Sequence, residues 1–149
     1  MEKETAVSKM NSETAGLLQR FKEVMGVAIT IDDVRQMALS LPKTEEADHW
    51  DKPSFRVNGK IYAVIHKDGV SVVIKTTRDE REALTTLEPD IYSVPPNFQR
   101  LNYMVVNTKR IGTDEFRSVL VHAWRLVAPK RIIKAYDEHE SIDPVKFMQ

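Results

Sequence analysis

Four consecutive residues, Lys75-Thr76-Thr77-Arg78, have the chemistry of an anion-binding site. They fall where a predicted strand meets a predicted helix, and free backbone amides at a helix start attract phosphate and other anions. Two cations and two hydroxyl groups would add to that attraction. The same segment also fits an ordinary helix start, with Thr77 as the N-cap and Glu80 reaching back to it. The sequence therefore leaves open a phosphate site or a plain capping box flanked by surface charges.

Basic side chains are concentrated toward the C-terminal part of the chain, although the formal net charge is zero. Residues 100–136 carry eight basic and two acidic side chains, which is compatible with an anionic partner. The residues expected to contact nucleic acid are Lys75, Arg78, Arg100, Lys109, Arg110, Lys130, Arg131 and Lys134. We expect Arg100, Lys109 and Arg110 together on wing-like loops, where such contacts position DNA without specifying its sequence. Solvated helix faces explain the same pattern, and zero net charge argues against strong non-specific DNA binding.

A second candidate surface lies on the strands predicted over residues 53–77. Asn58-Gly59 and Asp68-Gly69 tolerate positive φ angles, so they predict two tight hairpins and fix the register of three strands. In that register one face is almost entirely apolar and the other is mixed. The aromatic and basic members of the mixed face are Phe55, Tyr62, His66 and Lys75. Rings beside cations on an open sheet can stack nucleobases or dock a protein, whereas buried rings would only stabilise the sheet.

Acidic residues and a histidine are dense just before these strands. They are Glu45, Glu46, Asp48, His49 and Asp51. Such side chains can bind metal ions, but they lack the fixed spacing of a metal site, so we expect a solvated acidic loop. The chain has no cysteine, no Ser/His/Asp order, no nucleophile elbow, no Walker loop and no dinucleotide fingerprint. We therefore expect no metal, no cofactor and no enzymatic activity.

The elements that would carry these residues predict an α+β fold. Helices are expected at residues 31–41, 78–87, 113–127 and 129–136. Thr30, Thr77 and Thr113 are favourable N-caps for the first three of them. Tyr103–Asn107 is a further strand, preceded by a loop at residues 88–102 that is longer than most. The predicted fold is an antiparallel sheet of four to five strands with helices packed on one face.

One domain, residues 30–136, contains nearly all of these elements. Residues 1–29 are expected to be an extension with a disordered start and a helix at residues 13–25, and residues 137–149 a flexible acidic tail. No apolar run could span a membrane and the N-terminus lacks a signal-peptide stretch, so we expect a cytoplasmic protein with no membrane role. DNA and a protein docked on the mixed face remain the candidate partners. The chain itself is expected to be a monomer or a weak homodimer.

Several segments follow one another in a recognisable order across residues 31–136. They are SLPKTEE, HWDKPSFRVNGKIYA, IKTTRDEREAL, a Pro-Pro loop, NYMVVN and AWRLVAPKR. This ordered set resembles the MmcQ/YjbR family of small bacterial proteins. The resemblance implies a CyaY-like sheet covered by helices on one side, and DNA binding through a double-wing arrangement. The family often has Trp where Tyr103 stands and Ser-Tyr where Ala123-Trp124 stands, and these exchanges keep aromatic bulk.

Overall fold

The computed structural model describes residues 28–141, together with residues 13, 14, 16 and 17, which are helical. The rest of the predicted N-terminal extension and residues 142–149 of the predicted tail lie outside the described residues. The elements are, in chain order, α1 (Ile31–Ser40), β1 (Thr44–His49), β2 (Lys52–Val57), β3 (Lys60–Ile65), β4 (Ser71–Lys75), α2 (Arg78–Leu87), β5 (Tyr92–Ser93), a 3-10 helix (Pro96–Phe98), β6 (Tyr103–Asn107), α3 (Thr113–Arg125) and α4 (Lys130–Ser141).

The strands form one antiparallel sheet in the order β1-β2-β3-β4-β6-β5. The predicted α+β class is therefore confirmed, although the sheet has six strands instead of four to five. The additional pairing comes from Thr44–His49, which lines up along β2, and from Tyr92–Ser93, which adds an edge strand inside the predicted loop. The turns at Gly59 and Gly69 have φ angles of 79° and 70°, as their sequences predict.

A β-bulge between β2 and β3 changes the predicted register. Arg56 lies opposite Ile61 as expected, but Phe55 pairs with Ala63 and not with Tyr62. One extra residue on β3 reverses the face to which the preceding part of β2 points. Phe55 therefore shares the helix-covered face of the sheet with Ala63, and both side chains are fully buried.

The helix starts follow capping chemistry, and the structure differs from the prediction at the cap of α3 and by one to five residues at the ends of α1, α3 and α4. Thr30 and Asp33 form a reciprocal capping box at the start of α1, with bonds of 3.1 Å and 2.9 Å. Helix α3 is capped by Gly112, so Thr113 is its first residue and not its cap. Helix α4 continues to Ser141, five residues beyond its predicted end, so the first residues of the predicted tail are helical. The Asp137 carboxylate in this extension accepts hydrogen bonds from Arg125.

The core lies between the helices and one face of the sheet. Its largest fully buried side chains are Trp124, Tyr62, Tyr92, Phe55 and Phe116. The Trp124 indole donates to the carbonyl oxygen of Pro42 at 3.0 Å, and its ring packs 5.1 Å from that of Tyr136. Trp124 therefore ties α3 both to the chain that enters β1 and to α4. None of the helices in the described part of the chain is long and apolar enough to cross a membrane.

Candidate nucleic-acid interface

Cations and aromatic rings meet at one end of the sheet, in what we call the basic-aromatic corner. Its members are Lys75, Arg78, Phe98, Arg100 and Tyr103. Lys75 and Tyr103 are paired across β4 and β6, and the lysine Nζ lies 5.3 Å from the centre of the tyrosine ring. The Phe98 ring lies 6.1 Å from that of Tyr103 at an angle of 46°. Both rings are half-buried, whereas Arg78 and Arg100 are exposed, so the corner offers charge and ring surface together.

The loop that carries Phe98 and Arg100 is held by a buried arginine on α2. Arg81 is only 8% exposed, and its guanidinium donates to the carbonyl oxygens of three loop residues and of the first residue of β6. They are Phe98 at 3.0 Å, Gln99 at 3.1 Å, Leu101 at 2.6 Å and Tyr103 at 3.1 Å. Arg78 adds a bond of 3.0 Å to the carbonyl oxygen of Arg100. The planar guanidinium thus fixes an otherwise irregular segment, which pre-organises the corner.

Sequence reasoning missed Arg81 because it placed the apolar residues of α2 inward. Ala83 is in fact exposed, Leu87 is 76% exposed and Leu84 is half-buried, while Arg81 points into the protein. The loop at residues 88–102 has many backbone carbonyls and few local partners for them. A long loop next to a charged helix residue is the signal that could have indicated an arginine clamp.

The Lys75–Arg78 segment has the bonding of a plain helix start. Thr77 Oγ1 accepts a hydrogen bond of 3.2 Å from the Glu80 backbone amide, and the buried Thr76 hydroxyl donates to Thr77 O and Glu80 Oε2. Glu80 does not reach back to Thr77 as predicted, because its carboxylate bonds Thr76 and the His122 Nδ1 at 3.1 Å. Both threonine hydroxyls are therefore occupied, and Lys75 and Arg78 remain as the cations that face outward.

The predicted stacking face is wrong for two of its three members. Phe55 and Tyr62 are fully buried against the helices, because the bulge turns Phe55 over and Tyr62 reaches α1. The Tyr62 hydroxyl lies 2.9 Å from Thr44 Oγ1 and donates to Ala38 O at 3.3 Å. His66 is half-buried near the end of β3 farthest from Lys75. The ring beside Lys75 belongs instead to Tyr103, which the sequence did not place there.

The middle of the sheet face that carries Lys75 offers little accessible surface. Val64 and Val73 lie there as a cross-strand pair and are only 8% and 6% exposed. Ser54, on the neighbouring strand, is fully buried. The cations of this face lie at its end, in the basic-aromatic corner, and on β2, where the half-buried Arg56 donates to Ser54 Oγ and to Asp48 O.

Burial of Tyr62 predicts a loss of stability at alkaline pH. Desolvation raises the pKa of Tyr62 to about 12 from 10.0, and the hydrogen bond with Thr44 offsets only part of this rise. The stability that this group contributes is fully present below pH 10 and is lost as the pH rises to about 12, and it amounts to about 2–3 kcal/mol. Urea unfolding across this pH range should show a smaller decline for Tyr62→Phe than for the wild type. Equal declines would contradict the assignment, since Tyr92 and all other tyrosines are common to both proteins.

The predicted DNA-contacting residues separate into three groups. Lys75, Arg78 and Arg100 belong to the basic-aromatic corner. Lys109 and Arg110 follow the other end of β6, roughly 14 Å along the strand from its start. Lys130, Arg131 and Lys134 lie on α4, in the helical layer. The structure therefore does not bring Arg100 together with Lys109 and Arg110, because a whole strand separates them.

The acidic segment becomes an edge hairpin, and no metal cluster forms in it. Glu46 pairs with Arg35 at 2.8 Å, while Glu45, Asp48 and Asp51 are exposed. Within residues 28–141 no three His, Asp or Glu side chains are grouped closely enough to hold a metal ion.

Two carboxyl groups meet elsewhere in the protein, where a hydrogen bond with Glu115 raises the pKa of Glu88. Tyr92 donates to Glu115 at 2.6 Å, so this pair ties α2, β5 and α3 together.

Comparisons with known proteins bear on the family and on the fold. A family model described as YjbR matches residues 39–126, which is more than half of the chain and includes the whole basic-aromatic corner. The crystal structure of Deinococcus radiodurans protein DR2400, with a DUF419 domain, is similar with a TM-score of 0.59. The two sequences are 21% identical, and the alignment covers 68% of this chain and 80% of that chain, so this likeness concerns the fold alone. No curated protein matches the chain.

Proposed function

The chain belongs to the YjbR family, and we propose that it is a non-enzymatic nucleic-acid-binding protein of the cytoplasm that uses the basic-aromatic corner. The observation that supports this proposal is a lysine lying over a tyrosine ring, beside a second ring and two exposed arginines. Cations of this kind neutralise phosphates, and neighbouring rings give bases a surface on which to stack.

Each member of the corner has a distinct part in this proposal. The Arg100 guanidinium has no hydrogen-bond or ion-pair partner within residues 28–141, and Arg78 uses one N–H group on the loop and keeps the others for a phosphate oxygen. Lys75 can move from the ring of Tyr103 to a phosphate when a base replaces it on the ring. Such contacts carry little sequence information, so we expect affinity for nucleic acid without a strong sequence preference. A ligand that extends along β6 would also meet Lys109 and Arg110.

Charge reversal at the corner tests this assignment of residues. In fluorescence anisotropy with a labelled oligonucleotide at low salt, Lys75→Glu/Arg78→Glu should weaken binding by at least about 30-fold and flatten the salt dependence by about two phosphate contacts. The matched control is Lys130→Glu/Lys134→Glu, which makes the same charge change on α4 and should alter affinity by no more than about threefold. Thermal unfolding of both variants shows whether the domain remains intact. Equal losses in the two variants would remove the corner as the binding surface.

A protein-interaction role is the alternative, and one observation favours it. Trp50 is 78% exposed on a hairpin with several acidic side chains, and these negative charges would repel nucleic acid. This hairpin forms one edge of the sheet, and β6 lies next to the other edge. The hairpin and the basic-aromatic corner can therefore bind different partners independently.

A further inference from the structure

Trp50 lies at the tip of the β1–β2 hairpin with most of its indole in water. It is 78% exposed, and in the described part of the chain its one ring contact is an edge contact with His49 at 6.5 Å. A tryptophan that is mostly exposed contributes little burial to folding. Tryptophan is, by contrast, among the residues that contribute most to binding energy when a partner covers them.

The backbone at Trp50 is also unfavourable for its residue type. Trp50 and Asp51 have φ angles of 54° and 64°, which is left-handed backbone at two successive residues with a Cβ atom. The neighbouring hairpin meets the same need with Asn58 and Gly59, at 51° and 79°. Left-handed backbone is unfavourable for an ordinary residue, because its Cβ atom crowds the following carbonyl oxygen. Neither packing nor turn chemistry favours tryptophan at this position, so an interaction with another molecule would account for its presence.

The surroundings of Trp50 restrict the chemistry of its partner. Glu45, Asp48 and Asp51 are exposed on the same hairpin, and Glu46 is paired with Arg35. Lys52 is the cation next to the turn. The hairpin thus presents an apolar ring within a negative field, which fits an apolar pocket with a positive rim.

Such a pocket exists on this chain, in the groove between α1, α3 and α4. Its cavity volume is about 560 Å³, and its apolar lining includes Leu41, Leu120, Ile132 and Tyr136. Over residues 130–140, helix α4 contributes no fully buried side chain: Ile132 and Tyr136 are half-buried, and Ala135 is exposed. The groove is therefore only partly filled by the protein itself, and its volume falls within the range of ligand-binding clefts.

Two arginines offer partners for carboxylates at this groove. Arg117 lines it, is exposed, and has no ion pair within residues 28–141. Arg131 is outside the lining but lies one helical turn before Ala135 and hence on the same side of α4. His139 and Glu140 also line the groove, so its lining holds one arginine and one acid. The groove therefore matches the hairpin in apolar character, and Arg117 and Arg131 can pair with the hairpin carboxylates.

We propose that Trp50 of one copy of this chain inserts into the α1/α3/α4 groove of a second copy. The groove lies beside the start of β1 and the hairpin tip lies at the end of β1, so two copies can exchange these contacts reciprocally. A single hairpin buries much less surface than the roughly 1,200–2,000 Å² of stable complexes, so the association is weak and depends on concentration. This inference does not depend on the proposed nucleic-acid binding.

Sedimentation velocity of the full chain over a wide concentration range tests the proposal. The wild type should shift to a larger species as concentration rises, and iodide quenching of its exposed tryptophan should fall in parallel. Trp50→Ala and the groove variant Ala135→Glu should each raise the dissociation constant at least about 30-fold. Leu87→Ala removes another side chain that is 76% exposed, and it should associate like the wild type.

Two results would overturn the inference. The first is a wild type that remains monomeric at every concentration with a fully quenchable tryptophan, which would leave a different protein as the occupant of the hairpin. The second is association that Trp50→Ala does not weaken, which would place the contact elsewhere. Thermal unfolding of each variant establishes that it is folded, and Trp50→Ala and Ala135→Glu change exposed side chains on different elements.

Discussion

Replacing Arg81 by methionine is expected to lower the free energy of unfolding by about 3 kcal/mol. The guanidinium satisfies four backbone carbonyls, and methionine keeps the unbranched stem of the side chain but offers no donor to any of them. Water can reach some of these oxygens once the loop opens, which keeps the loss below the sum of four separate bonds. For a domain of this size the change corresponds to a melting temperature lower by roughly 10 °C.

Urea unfolding of Arg81→Met beside Arg78→Met measures this effect with a matched control. Arg78 is exposed and makes a single bond to the loop, so its loss should cost less than about 1 kcal/mol. Arg81→Lys should fall between the two, since it keeps the charge but not the planar fork. If Arg81→Met unfolds within about 1 kcal/mol of the wild type, the loop is held by other contacts and the clamp is not its main support.

Replacing Trp124 by alanine is expected to have the largest effect on stability, about 4 kcal/mol. Trp124 is fully buried and is the largest fully buried side chain. Its removal leaves a cavity between α3 and the sheet, removes the ring that packs on Tyr136, and leaves the carbonyl oxygen of Pro42 without its donor. Residues 130–140 of α4 include no fully buried residue, so the attachment of this helix should weaken first.

The two tryptophans of the chain make this measurement internally controlled. Trp50→Ala should change the free energy of unfolding by less than about 1 kcal/mol, because its ring is exposed and the replacement leaves no cavity. Trp124→Phe should fall between Trp124→Ala and the wild type, since it keeps aromatic volume but not the indole N–H group. Calorimetric or urea unfolding of these variants decides the point. Similar losses for Trp50→Ala and Trp124→Ala would contradict the burial described above.

Local sequence signals predicted much of the sheet and most helix starts. Asp68-Gly69 fixes the pairing of β3 with β4, and the observed pairs Val64–Val73 and Ile65–Val72 agree with it. Thr30 and Thr77 cap their helices as predicted. None of the residues at the bulge, which are Phe55 and Arg56 on β2 and residues 61–63 on β3, is glycine or proline, so the sequence gives no local sign of the bulge. Because the bulge was not foreseen, the sequence-based prediction placed Phe55 on the wrong face of the sheet.

The candidate site was predictable in its charges but not in its rings. Lys75 and Arg78 are adjacent to a recognisable helix start, so their position follows from local rules. Tyr103 comes to Lys75 through pairing of β4 with β6, two strands that are separated by a helix and a long loop. The register of such a pair depends on tertiary packing, which no turn residue specifies. The Arg81 clamp depends on the same long-range arrangement.

The grouping of the cations follows from the same physical cause. Arg100 and Lys109 are close in sequence, and both flank β6, which suggested one wing-like surface. An extended strand places its two flanks at opposite ends, so nearness in sequence across a strand becomes separation in space. Lys130, Arg131 and Lys134 are set apart for another reason, because they follow α3 onto a helix of the covering layer.

Nucleic-acid binding by the basic-aromatic corner is tested most directly by a salt titration of the wild type. Fluorescence anisotropy of labelled single- and double-stranded DNA should be measured from low to physiological salt. We expect micromolar or tighter affinity at low salt. The affinity should fall steeply as salt rises, and the slope of log affinity against log salt should correspond to about two to four phosphate contacts. No binding of either DNA at low salt would contradict the proposed function.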